Sequence, residues 1–177
     1  MREVMRAGHD RVAVYDLDGE FGWPIYVHAK VCVVDDVWLT VGSDNLNRRS
    51  WTNDSEVSCA VIDETRDARE PRDPGGFGDG ARHLARETRL RLWHEHSGID
   101  AGELVDPIAG FDALAQAAAA LDAWHGGGRR GPRPPGRLRP HRPEPVKGVA
   151  AVWARLLYGT LIDPDGRPRA MRRAGRL

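Results

Sequence analysis

His28-Ala29-Lys30-Val31-Cys32-Val33-Val34-Asp35, followed by Gly42-Ser43-Asp44-Asn45, is the stretch on which the reading of this chain turns. It is an H-x-K-x4-D run with a G-S-x-N close behind it. Residues 25–34 are rich in β-branched and aromatic types, which suit a pleated strand. Strand side chains alternate in direction, so Tyr26, His28, Lys30 and Cys32 share one face. Val27, Ala29, Val31 and Val33 share the other, which is wholly apolar and predicted to pack into a core. Asp35-Asp36 separates this run from Val37-Trp38-Leu39-Thr40-Val41, and two residues are enough for a tight hairpin. In that register Val34 pairs with Val37, Lys30 with Val41, and His28 with Ser43. The hairpin alone would then deliver Gly42–Asn45 beside His28.

These residue types in that arrangement suit phosphodiester chemistry. A histidine can attack phosphorus or protonate a leaving oxygen. Lys30 brings a point charge to the phosphate oxygens. Gly42 allows close backbone approach, and Ser43 and Asn45 can donate hydrogen bonds. A lone histidine on a strand is more often structural than catalytic. The linked spacing and the converging G-S-x-N favour the functional reading here. Asp35, at the hairpin tip, reads as structural.

The segment resembles the second half of a phospholipase D superfamily enzyme. The likeness continues in Asn47-Arg48-Arg49-Ser50 and in Trp51-Thr52-Asn53-Asp54-Ser55-Glu56-Val57. It returns in Leu90-Arg91-Leu92-Trp93-His94-Glu95-His96-Ser97-Gly98 and in Asp163-Pro164-Asp165-Gly166-Arg167. The resemblance implies an α/β half-domain, a mixed sheet flanked by helices. It also implies a two-step displacement through a phosphohistidine, hydrolysing or transferring phosphatidyl groups. His28 matches the histidine of the family's second motif, as nucleophile or general acid. Lys30 and Asn45 match phosphate-binding positions, Ser43 a supporting polar position, and Glu56 a carboxylate set against the histidine ring. The chemistry demands neither a metal nor a cofactor.

One departure bears on every expectation of activity. Family enzymes bring two such motifs together, and this chain holds one. His9, His83, His94, His96, His125 and His141 all lack the lysine two residues on. Only 27 residues precede His28, fewer than the strand–helix units that usually lead into the motif. Three readings follow. The chain works with a second motif in trans, from another chain or a second copy; or it is an inert remnant or interaction module; or it is a nuclease-like homodimer.

Composition discriminates among them only mildly. Lys and Arg number 26 and Asp and Glu 26, so global charge does not favour a nucleic-acid partner. The expected substrate is a phospholipid or other phosphodiester, with membrane contact at most peripheral. No apolar run of membrane-spanning length and no leader pattern is visible, so the chain as written reads as cytoplasmic. Cys32 and Cys59 have no metal-ligand spacing and read as small buried hydrophobes.

Residues 1–125 are expected to form the half-domain that carries the motif. Strands are predicted at 11–17 and 56–62, and helices at 81–96 and 111–124. Leu84, Ala85, Leu92 and Trp93 would line the first helix, and Phe111, Leu114, Ala115, Ala118 and Leu121 the second. Residues 126–148, rich in Gly, Arg and Pro, read as a linker or disordered loop. Residues 149–177 resume a helical pattern at 149–158 and end in an Arg-rich tail.

Overall fold

The computed structural model describes residues 2–19, 21, 23–143 and 147–175. Parts of two segments named above therefore lie outside the described residues: the Arg/Pro-rich stretch and the final tail. The elements run in the order α1 (Arg2–Gly8), β1 (Tyr15–Asp18), β2 (Pro24–Ile25), β3 (Lys30–Val34), β4 (Trp38–Gly42), α2 (Arg48–Thr52) and β5 (Ser58–Val61). Then come α3 (His83–Ser97), α4 (Pro107–Gly126), β6 (Leu138–Pro140), α5 (Val149–Leu157) and α6 (Arg169–Arg173). The strands form two small antiparallel sheets, ordered β2-β1-β6 and β3-β4-β5, so the α/β expectation holds. Two compact units result. The first is Met1–His28, Cys32–Leu39 and Ala60–Pro143; the second is Ala29–Val31, Thr40–Cys59 and Glu144–Leu177.

In the first unit, β1 pairs with β2 through Leu17↔Ile25 and with β6 through Tyr15↔Pro140 and Leu17↔Leu138. Helix α4 lies over this sheet. Asp106 caps it by accepting from the Ile108 N–H at 2.8 Å, and Pro107 occupies the first turn, where its missing donor costs nothing. The apolar spacing expected for this helix buries Leu114, Ala118 and Leu121, whereas Ala115 faces solvent. Leu114 and Ala118 meet Leu138, with Tyr15, Leu17 and Trp93 around them. Helix α3 buries Ala85 and Leu90 and leaves Leu84 exposed. It stops at Gly98, whose φ of 73° is the left-handed conformation that closes a helix and that glycine adopts without strain.

Strand β6 lies inside the stretch whose composition reads as a linker. Leu138, an apolar side chain among arginines and prolines, is buried against α4. The Arg137 carbonyl accepts from Asp18 N–H at 2.8 Å, and His141 N–H donates to the Val14 carbonyl at 2.9 Å. Burial of Leu138 and pairing with β1 make residues 138–140 of that stretch a strand.

The hairpin forms with the expected two-residue turn. Val37 N–H donates to the Val34 carbonyl at 2.9 Å, and Asp35 and Asp36 have φ of 54° and 55°. That is a type I′ turn, whose twist matches the strands it joins. It sets Lys30 across from Val41. The strand, however, starts at Lys30 rather than at residue 25, because Pro24 and Ile25 are taken by β1 in the other sheet. Residues 26–29 bridge the two sheets and are outside both ladders. The apolar face expected to be buried is not: Val27, Ala29 and Val31 are exposed and Val33 is half-buried. Leu39 alone among the hairpin's apolar side chains is buried. Among the described residues no second layer covers the rest. Cys32 and Cys59, expected to be buried, are exposed and form no disulfide.

What fixes the hairpin tip is Asp36. Its carboxylate, 2% exposed, accepts from Arg86 Nε at 3.0 Å, Arg89 Nε at 2.6 Å and Arg89 Nη2 at 2.7 Å. The two arginines are three apart on α3 and so share one face. Their remaining donors reach Asp67 and the carbonyls of Arg69, Pro71, Leu104 and Val105. The Arg89 guanidinium also lies 4.6 Å from the Trp93 ring centroid, a cation–π contact. Each buried charge thus has an opposite charge, and the guanidinium donors and carboxylate acceptors are matched, the condition under which such groups are tolerated.

In the second unit, β4 and β5 approach closely at Gly42. A Cβ there would lie 2.0 Å from Ser58 Oγ and 3.0 Å from Ser58 Cα. Gly42→Ala is therefore expected to push the strands apart and cost about 1–3 kcal/mol, the usual range for overpacking. Urea denaturation checks this, and adding Ser58→Gly should recover part of the loss. Equal midpoints for Gly42→Ala and the parent would contradict the close approach. Helix α2 begins at Asn47, whose side chain accepts from Ser50 N–H at 2.8 Å. Asp163, also buried, accepts from the Arg49 N–H at 2.7 Å, and Gly166 N–H donates to Thr52 Oγ1 at 2.9 Å. The Asp163–Arg167 turn is thereby fastened to α2.

Candidate functional site

His28 ends the first unit's opening segment and is exposed, outside any strand. The strand ladder therefore does not carry it opposite Ser43, as the longer strand would have. Its ring lies 5.7 Å from that of Tyr26 at a tilt of 30°, a neighbour that the sequence placed on the same face. Tyr26 also lines a groove of about 490 Å³ with Tyr15, Asp16, Asp122, Arg139 and Arg142. The groove wall is ionic. Asp122 Oδ1 accepts from Arg139 at 2.7 Å and its other oxygen accepts from Arg142, while His141 Nδ1 is 3.0 Å from Asp16.

Lys30 opens β3 and is half-buried. Within the second unit the described hydrogen bonds bring Ser43 and Glu56 together. Ser43 Oγ donates to Glu56 Oε2 at 2.5 Å and accepts from Val57 N–H at 3.0 Å. The Ser43 N–H in turn donates to the Val57 carbonyl at 2.9 Å. The serine hydroxyl expected to serve phosphate is thus committed to a carboxylate in this state. Asn45 is exposed; its N–H donates to Ser50 Oγ at 3.2 Å and its carbonyl accepts from Asn47 N–H at 2.8 Å. These bonds hold the Gly42–Ser50 loop in one path from β4 to α2. Asp35 is exposed at the turn. Its neighbour Asp36 is the residue that anchors the hairpin. The Asp-Asp pair and the Arg86-x-x-Arg89 spacing were its only traces in the sequence.

One further cluster has metal-ligand types. Asp67, His83 and Glu87 place ligand atoms within 4.8 Å of one another. Arg69 already occupies them, with Nη2 at 2.5 Å from Asp67 Oδ2 and 2.6 Å from Glu87 Oε1. The hydrogen bonds from Arg69 hold the Asp67 carboxyl well below the usual carboxylate range. A cation would have to displace that guanidinium, so this is an ion-pair cluster.

The family model described as phospholipase D matches residues 21–124. The chain belongs to the phospholipase D family. Known relatives include phospholipase D zeta 1 of Arabidopsis thaliana, 33% identical over 119 residues, covering 57% of this chain and 10% of that protein. Phospholipase D C of Dictyostelium discoideum is 40% identical over 89 residues, 48% of this chain and 5% of that protein. Phospholipase D delta of Arabidopsis thaliana is 37% identical over 86 residues, 47% of this chain and 9% of that protein. This phospholipase D family member thus spans a tenth or less of the length of these relatives. No solved structure matches it.

Proposed function

We propose that the chain is a phosphodiesterase half of phospholipase D type, acting on a phospholipid or related phosphodiester once a second motif is supplied in trans. The observation that carries this reading is the single His28–Lys30 motif, with its Gly42–Asn45 loop, in a chain whose family membership covers that segment. One histidine attacks phosphorus, and the P–O bond to the leaving alcohol breaks as the other histidine gives that oxygen a proton. Water, or a second alcohol, then loses its proton to that histidine and cleaves the P–N bond. His28 is one of the two. Lys30 and Asn45 hold the phosphate oxygens, and Gly42 leaves room for them. The Ser43–Glu56 pair acts as a positioning unit, with Glu56 able to orient the imidazole and stabilise its cation. Asp35 and Asp36 shape the turn. Residues 1–125 carry the motif and 149–177 complete the half-domain.

An inert remnant is the second reading, favoured by the exposure of His28 and of the hairpin's apolar face. Turnover per chain, measured against protein concentration with phosphatidylcholine and with bis-p-nitrophenyl phosphate, separates the two. If two copies complete one site, specific activity rises with concentration in step with dimer mass by light scattering. If the partner is another chain, activity appears only when that chain is added. Silence under both conditions would leave the remnant.

A further inference from the structure

We propose that α5 and the turn of helix after it form a docking surface for an anionic lipid bilayer. This goes beyond the catalytic reading and stands without it. Val149, Val152, Trp153 and Leu157 recur at the helical spacing of one face. In the structure that face is open to solvent: Val149 is 75% exposed, Val152 70% and Trp153 59%. Tyr158, Leu161 and Ile162, in the π-helical turn Tyr158–Ile162, extend the exposed apolar surface by another turn. Ala151 and Ala154, on the other side, are half-buried. A helix in a water-soluble fold normally buries its apolar stripe and exposes its small and polar residues. Among the described side chains of α5, the large apolar ones are instead exposed.

Charge identifies the occupant. Although the whole chain is neutral, residues 147–175 hold six basic side chains against two acidic ones. Both acids are engaged locally: Asp163 by α2, and Asp165 by Arg167 Nη2 at 2.7 Å. Arg169, Arg172 and Arg173 on α6 are exposed beside Met171. An apolar face with a tryptophan and a tyrosine, followed at once by an arginine cluster, is the pattern of an interfacial helix. The aromatic and aliphatic side chains enter the headgroup–acyl boundary while the arginines meet lipid phosphates. A second copy is a poorer occupant, because the segment that carries α5 holds six basic side chains against two acidic ones and a second copy would bring the same sign of charge. Spanning is not at issue, since no described helix is long and apolar enough to cross a membrane.

The test is co-sedimentation of the full chain with vesicles of phosphatidylcholine alone and of phosphatidylcholine with phosphatidylglycerol, at low and high salt. The expected result is binding to the anionic vesicles that weakens with salt. Each arginine near an anionic surface contributes about fivefold, so losing three costs about a hundredfold, and Arg169→Glu/Arg172→Glu/Arg173→Glu, which also adds three repelled carboxylates, should bind more weakly still. Val152→Asp/Trp153→Asp should lose binding while its circular dichroism matches the parent. The arginine variant, confined to exposed positions, keeps the test valid should the apolar one misfold. Equal sedimentation with neutral and anionic vesicles, or full binding by the arginine variant, would overturn the proposal. So would a dimer that Trp153→Asp dissociates, with no lipid binding by the parent.

Discussion

Asp36→Ala is expected to destabilise the protein by about 3–5 kcal/mol, because it removes one partner of a buried ion pair and strands the others. Arg86 and Arg89 would then lose the carboxylate that binds both, with 0% and 8% of their side chains exposed to water. At about 2–4 °C per kcal/mol for a chain of this size, the melting temperature should fall by roughly 10 °C. Asp36→Asn keeps the shape and one acceptor, and should fall between the two. Asp67 adds a pH dependence to the same network. Its folded pKa is depressed, first by the hydrogen bonds from Arg69. Such a group stabilises the fold fully above its unfolded pKa of about 3.9, and that stability is lost as pH falls toward the folded value. Melting temperature should therefore decline below about pH 4. The smallest shift these figures allow is about 6 °C, so an Asp36→Ala protein that melts together with the parent would contradict the network's role.

The second large effect is on turnover. On the proposed reading, His28→Ala removes the nucleophile or the acid, and in a two-copy site it removes both. General acid–base chemistry alone contributes about 10²–10⁴-fold, so the variant should fall to the buffer rate. Lys30→Met should cost about 10²–10³-fold, the usual loss when one charge-stabilising donor is deleted. Lys30→Arg should not restore the parent rate, since a planar fork replaces a point charge. Neither side chain is in the buried core, so both variants should keep the parent melting temperature.

The hairpin turn was legible because Asp35-Asp36 stands alone between two β-rich runs, and a two-residue loop leaves one register. Helices α3, α4 and α5 were legible from their spacing, to within a few residues at each end, whereas the short α1, α2 and α6 are too brief to show a period. What local sequence could not show was competition between sheets. Residues 25–34 look like one strand, but Pro24 and Ile25 pair with β1, and the chain needs 26–29 to cross over. Leu138 was invisible for a similar reason, since one leucine among arginines has no period until a sheet edge receives it. The motif spacing drew notice to Asp35, whereas burial and two arginines select Asp36. At the site, the sequence named Ser43 and Glu56 separately. Only the pairing of β4 with β5 shows that the serine hydroxyl donates its hydrogen bond to that carboxylate. The apolar face of the hairpin strand read as core because periodicity reports amphipathicity, and says nothing of what the face meets.

The decisive comparison is turnover of bis-p-nitrophenyl phosphate by the parent and His28→Ala proteins under the condition that completes the parent's site, dimer concentration or the added partner chain, with mass and melting temperature matched. A catalytic His28 predicts measurable release of p-nitrophenol by the parent and none above buffer by the variant. Equal release from both proteins would contradict it.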